Sequence, residues 1–116
     1  MNKLWIFTFF ILLLGVSDLT YSQNVQVFVR HEVKDYKVWK KGYDDYAAKQ
    51  KEGGVYYQHV YQTIDNPNQV TVIHDFHSLE KAKAFFASDD LKSTMKKIGA
   101  LGKPEIWFVQ LDKSSK

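Results

Sequence analysis

The sequence contains no cysteine. A disulfide framework is therefore excluded, as is a lipid-modified cysteine at an export site, and the fold must rest on its core. No glycine-rich phosphate loop is present. Gly53-Gly54 precedes a strand pattern rather than a helix, so the helix-terminal amides that would cradle a phosphate are missing. No serine stands in a G-x-S-x-G setting, which leaves hydrolase chemistry of that type unsupported. No charge of one sign dominates either. Sixteen basic and thirteen acidic residues give a net charge of +3. The lysines interleave with Asp and Glu along two predicted helices, as on ordinary solvated faces, so no nucleic-acid partner is expected. The longest apolar run, Leu4 to Val16, falls short of the ~18 residues of a membrane-spanning helix.

That run has another meaning. Lys3 supplies a positive charge, Leu4 to Val16 an apolar centre, and Ser17 to Ser22 a polar stretch. Thr20 and Ser22 are the small residues that suit cleavage before Gln23. This is the order of a cleavable secretory signal. Residues 1–22 are expected to be removed and the product exported, periplasmic or secreted, with no membrane association afterwards. Removing 22 of the 116 residues leaves 94. That length suits one domain, placed at 23–112, with a polar tail at 113–116. Outside the cytosol such a domain meets no nucleotide pool, which disfavours NAD(P)H- or ATP-dependent schemes.

What is present alternates strand and helix patterns. Asn24 to Val33 alternates Val25, Val27, Val29, His31 and Val33 with polar or aromatic residues, the period of a strand. Asp35 is placed to cap a helix of about four turns, whose apolar stripe is Tyr36, Trp39, Tyr43, Tyr46 and Ala47. Gly53-Gly54 ends it. Val55 to Ile64 and Gln69 to Phe76 form two strands around the turn Asp65-Asn66-Pro67-Asn68. Ser78 opens a second helix with Leu79, Ala82, Phe85 and Phe86 inward, and Ser88-Asp89-Asp90 recaps it for Leu91, Met95 and Ile98. Gly99, Gly102 and Pro104 break the helical pattern before a last strand, Glu105 to Leu111. The order βαββαβ predicts an α+β, ferredoxin-like fold: a four-stranded antiparallel sheet with both helices on one face. The other face holds Phe28, Ile73 and one of Trp107 or Phe108, and an apolar sheet face is an association surface. A homodimer packed sheet to sheet is expected.

Several segments resemble small dimeric α/β-barrel proteins of the antibiotic-biosynthesis-monooxygenase-like or cyclase-like kind. They are Val29-Arg30-His31 to Val33 with Asp35-Tyr36 and Trp39-Lys40, the Asp65-Asn66-Pro67-Asn68 hairpin, Ser78-Leu79-Glu80-Lys81-Ala82 followed by Phe85, and Pro104-Glu105-Ile106. The resemblance spans nearly the whole mature domain. It implies the dimeric barrel fold and a pocket between sheet and helices. The proteins that share this fold include cofactor-independent monooxygenases, haem-degrading enzymes and members without known activity. His74 stands where such proteins carry an apolar residue, and Tyr56-Tyr57-Gln58-His59 is unusually aromatic.

Strand alternation selects the site. His31 shares a face with Val27 and Val29, and His74 with Val70, Val72 and Phe76, so both are assigned to the helix side as candidate catalytic residues. In strand two Tyr57 and His59 are expected inward. With Trp39 and Tyr43 they would complete a ligand pocket. Imidazole relays protons near neutral pH, and a cofactor-free oxygenase needs a base for an electron-rich substrate in a dry site. No cofactor is assigned, although haem with a histidine axial ligand fits an aromatic pocket of this kind. No metal is assigned. His74 and His77 are three apart on a strand and point to opposite faces, which leaves only a cross-strand trio of His31, His59 and His74. Three readings stand at this point: a small-molecule enzyme of monooxygenase-like type, a non-catalytic binder of a hydrophobic or aromatic ligand, and a structural or stress-associated dimer whose pocket its own side chains fill. A cavity of about 300 Å³ or more beside His31 and His74 separates the first two from the third.

Overall fold

The structure is a computed structural model and describes residues 24–115. The expected signal peptide, 1–22, lies outside the described residues. The elements run β1 (Val25–Val33), α1 (Tyr36–Asp45), α2 (Ala47–Glu52), β2 (Val55–Thr63), β3 (Asn66–Phe76), α3 (Leu79–Ala87), α4 (Asp89–Lys97) and β4 (Ala100–Val109). The strands form one antiparallel sheet in the order β2-β3-β1-β4. This is the ferredoxin-like βαββαβ arrangement read from the sequence. Among the described residues no helix is long and apolar enough to cross a membrane.

Local chemistry explains where the helices start. The Asp35 carboxylate accepts from Val38 N at 3.2 Å, and the Asn68 side-chain oxygen accepts from Tyr36 N at 3.0 Å. Those two bonds satisfy amides that the first turn leaves free. Ser78 Oγ accepts from Lys81 N, and Ser88 Oγ from Leu91 N, in the same way. The first helix differs from expectation in being broken at Tyr46, whose hydroxyl reaches across to Asp90 Oδ2 at 2.7 Å. The recapping at Ser88 occurs as expected.

The last strand begins at Ala100, five residues before the expected Glu105. Pairing runs Arg30 to Glu105, then shifts so that Glu32 faces Leu101. Gly102, Lys103 and Pro104 therefore stand against His31 alone, as a bulge. Gly102 has a φ of +64°, a conformation that glycine adopts without penalty, and Pro104 has no amide to give to a ladder. The sequence places Gly102 and Pro104 in the break between the last helix and the last strand, but both lie inside β4, which pairs with β1 on either side of them.

A second bulge corrects the faces of β2. Val55 pairs with Phe76, and Tyr57 with Asp75. Tyr56 is the extra residue, and beyond it the alternation is inverted. Gln58 and Val60 thus face the helices opposite His74 and Val72, while Tyr57, His59 and Tyr61 face outward. The expectation that Tyr57 and His59 point into the pocket is wrong for this reason. Simple alternation from Val55 misses the inserted residue, whose ring instead stacks on His77 at 3.8 Å.

The core lies between sheet and helices in two clusters. One gathers Val25, Val27, Phe76, Ala82 and Phe85, and the other Val33, Trp39, Tyr43, Val70 and Val72. Trp39 is fully buried, and removing a ring of that size from a core costs about 3–5 kcal/mol. On the opposite face His59, Ile73, Phe28 and Trp107 follow one another across the four strands. Tyr57 is 57% exposed there and Trp107 47%.

Candidate functional site

Both core clusters contribute walls to one cavity of about 750 Å³ beneath the helices. His31, Trp39, Tyr43 and His74 all line it, whereas Tyr57 and His59 do not. The β4 bulge borders His31. That residue pairs with Val70 on β3, but where Gly102 to Pro104 leave the ladder it has no regular partner on β4.

The polar groups within form a short chain. Tyr43 Oη donates to Gln58 Oε1 at 3.1 Å and lies 2.9 Å from His74 Nε2. An amide oxygen only accepts, so the single phenolic proton is committed to Gln58. Tyr43 Oη must then accept from His74 Nε2–H. That arrangement leaves His74 Nδ1 with a bare lone pair, and Nδ1 has no partner among the described residues. Both ring nitrogens of His31 likewise lack a partner, as do Trp39 Nε1 and Gln50 Oε1. Buried polar atoms are nearly always hydrogen-bonded. Five such atoms stand on four residues that line this one cavity.

Burial sets the protonation states. It lowers the His74 pKa to about 4, with the nearby His31 adding repulsion. Burial alone lowers that of His31. Burial also pushes the Tyr43 phenol well up, against the pull of a Gln50 hydrogen bond. All three groups are neutral at pH 7. The rings pack as a continuous wall: His31 meets Trp39 edge-on at 5.4 Å, Trp39 stacks on Tyr43 at 4.8 Å, and Phe86 meets His74 edge-on at 5.4 Å.

Gln50, Gln58 and the lysines Lys92, Lys96 and Lys103 also belong to the site, and the sequence reading passed over them. Gln50 had a legible signal. It continues the spacing of Trp39, Tyr43 and Tyr46 by four residues and is buried like them. Gln58 had none, because its face depends on the bulge at Tyr56. Among the described residues no group of three His, Cys, Asp or Glu side chains is placed to hold a metal ion. With His59 outward, the cross-strand histidine trio does not assemble.

No family model matches the sequence, and no curated protein matches it. Solved structures do match. A proposed antibiotic biosynthesis monooxygenase from Bordetella bronchiseptica superposes with a TM-score of 0.66 at 14% identity, over 78% of this chain and 98% of that one. The fold is that of the antibiotic biosynthesis monooxygenases. A second such protein, from Caulobacter crescentus, gives a TM-score of 0.63 at 18% identity over 85% of this chain and 99% of its own. SnoaB from Streptomyces nogalater, a cofactor-independent oxygenase, gives 0.62 at 10% identity over 80% and 99%.

Proposed function

We propose that the protein is an exported, cofactor-independent oxygenase that acts on an electron-rich aromatic molecule in the His31–His74 cavity. The observation that carries this reading is the pair of neutral imidazoles with unpartnered nitrogens on the wall of a 750 Å³ aromatic cavity. The fold shared with SnoaB agrees with it. A cavity of that size also speaks against the reading in which the protein's own side chains fill the space.

The two histidines have different tasks. His74, with a pKa of about 4, is too weak a base to take a proton from a phenol or an activated methylene. Its free Nδ1 instead accepts a hydrogen bond and orients a hydroxyl of the substrate. His31 is less buried and free at both nitrogens, so it is the base. Proton transfer to His31 leaves a carbanion whose charge spreads over the aromatic system. The carbanion gives one electron to dioxygen, and the radical pair joins at carbon as a peroxide anion. Return of the proton from His31 makes the hydroperoxide, and loss of water converts the original CH₂ to a carbonyl. One oxygen atom enters the product and the other leaves as water. The aromatic walls keep bulk water from the carbanion.

Oxygen uptake tests this. With a panel of oxygen-sensitive phenols and quinols, the protein should consume oxygen above the background rate. His31→Ala should remove about 100-fold or more of that rate, and His74→Ala should raise KM more than it lowers kcat. Turnover unchanged by His31→Ala would end the catalytic reading. Saturable binding without oxygen uptake would leave a non-catalytic binding module in its place.

We further propose that a second copy covers the outer face of the sheet. His59, Ile73, Phe28 and Trp107 make a band across all four strands there, and a monomer rarely leaves such a face open. Two-fold packing would bury the same band of both protomers.

A further inference from the structure

The cavity is not uniform from mouth to floor. At its floor lie Trp39, Gln50 and His74, all buried and each with a polar atom lacking a partner. Phe86, Met95 and Ile106 also line it, and these apolar side chains are half-buried, between the buried floor and the exposed rim. The charged side chains that line it are Lys92, Lys96 and Lys103, and all three are exposed. An exposed side chain that lines a cavity stands at its opening. Lys92 and Lys96 lie one turn apart on α4, on the side that also carries Met95, while Lys103 reaches the opening from the β4 bulge. Among the described residues no Asp or Glu lines the cavity. Among the described residues, none of the three lysines forms an ion pair.

This asymmetry is local. The chain as a whole carries almost as many acidic as basic residues, and elsewhere on the helices lysines do find carboxylates, as Lys40 does with Asp44 and Lys49 with Asp90. At the mouth the cations are left without partners, above an apolar passage and a hydrogen-bonding floor. We propose that the cavity selects an amphipathic organic anion: an aromatic body that lies along the Trp39–Tyr43 wall, a polar group that meets the floor, and a carboxylate or phosphate held at the mouth by Lys92, Lys96 and Lys103. A flat body of this kind stacks on the indole and phenol rings. Its anionic end remains partly hydrated among flexible lysines, so it meets opposite charge without complete desolvation. The field of three like charges also concentrates such anions at the opening. This proposal rests on the cavity being the ligand site, and it does not require that the bound molecule be oxidised.

Calorimetric titration of the mature protein tests it with three probes of nearly equal size: 2-naphthoate, 2-naphthyl phosphate and the neutral 2-naphthamide. At least one anion should bind about tenfold or more tightly than the amide. Which anion binds better distinguishes a carboxylate ligand from a phosphate ligand. Raising the salt from about 0.05 to 0.5 M should weaken the anion and leave the amide nearly unaffected. Lys92→Gln/Lys96→Gln/Lys103→Gln, with all three positions on the surface, should bring anion and amide to similar affinity. Equal binding of anion and amide by the wild-type protein would overturn the proposal, as would no measurable binding of either anion. Discrimination that survives the triple substitution would do the same. The readout is binding alone, so an absence of oxygen uptake would refute the oxygenase reading and leave this result standing.

Discussion

Tyr43 decides which nitrogen of His74 carries the proton and which is left without a partner. Its hydroxyl gives its proton to Gln58 and sits 2.9 Å from His74 Nε2. The imidazole is thereby fixed with Nε2 protonated and Nδ1 bare. In Tyr43→Phe the Gln58 oxygen and His74 Nε2–H both lose a buried partner, which should cost about 1–3 kcal/mol of stability. Nitrogen-15 spectra of the imidazoles should show a single Nε2–H tautomer for His74 in the wild type and a mixture in the variant. A wild-type spectrum with the proton on Nδ1 would refute the assignment.

Acid should weaken the fold in a defined window. His74 has a pKa of about 4 in the folded protein against 6.5 ordinarily, and that of His31 is also lowered. The unfolded chain therefore binds more protons once the pH drops below about 6.5. The contribution of the two imidazoles should be constant above that point and fall as the pH descends toward 4, where folded His74 also protonates. The His74 share is on the order of 3 kcal/mol. Urea unfolding at pH 7 and at pH 4.5 measures the loss, and His74→Gln should shrink it.

Gly42 lies in the middle of α1, where alanine would ordinarily favour the helix by about 1 kcal/mol. Here a β-carbon would run into the Ile98 side chain at the end of α4. Overpacking of that kind costs about 1–3 kcal/mol. Gly42→Ala should therefore lower the thermal midpoint, whereas a gain would mean that Ile98 moves aside without penalty.

The outer sheet face offers a separate test. Trp107 stands opposite Phe28 in the register and is half exposed. Trp107→Glu puts a charge into the centre of the proposed interface. Sedimentation at micromolar concentration should show a dimer for the wild type and a monomer for the variant. A monomeric wild type would remove the sheet-to-sheet pairing.

The fold was legible because local signals agreed with one another. Asp35, Ser78 and Ser88 announce the helix starts, and the alternation of β1 and β3 puts His31 and His74 on one face together with the valines. Trp39 and Tyr43 follow from helical spacing. The errors in β2 and β4 share one physical cause. Periodicity assumes one residue per ladder position, and a bulge adds residues that no local pattern marks. One at Tyr56 turned Tyr57 and His59 outward and brought in Gln58. Another at Gly102 to Pro104 reads in the sequence as a break before the last strand, and it lies within that strand and lines the cavity. The lysines at the mouth were legible only as charges on a helix, because their common target forms when α4 and β4 come together.

The β4 bulge has a consequence for how this scaffold can change. Gly102, Lys103 and Pro104 border the cavity but lie outside the regular ladder of the sheet. Their number and chemistry can therefore vary while the core keeps its packing, since the penalty for lengthening a surface segment rises only slowly. If the cavity binds as proposed, ligand preference and structural integrity are largely uncoupled at this position. A library restricted to Lys103 and Pro104, with Gly102 kept for its φ of +64°, would sample new selectivities with little loss of folded protein, whereas the same diversity at Trp39 or Tyr43 would mostly yield chains that fail to fold.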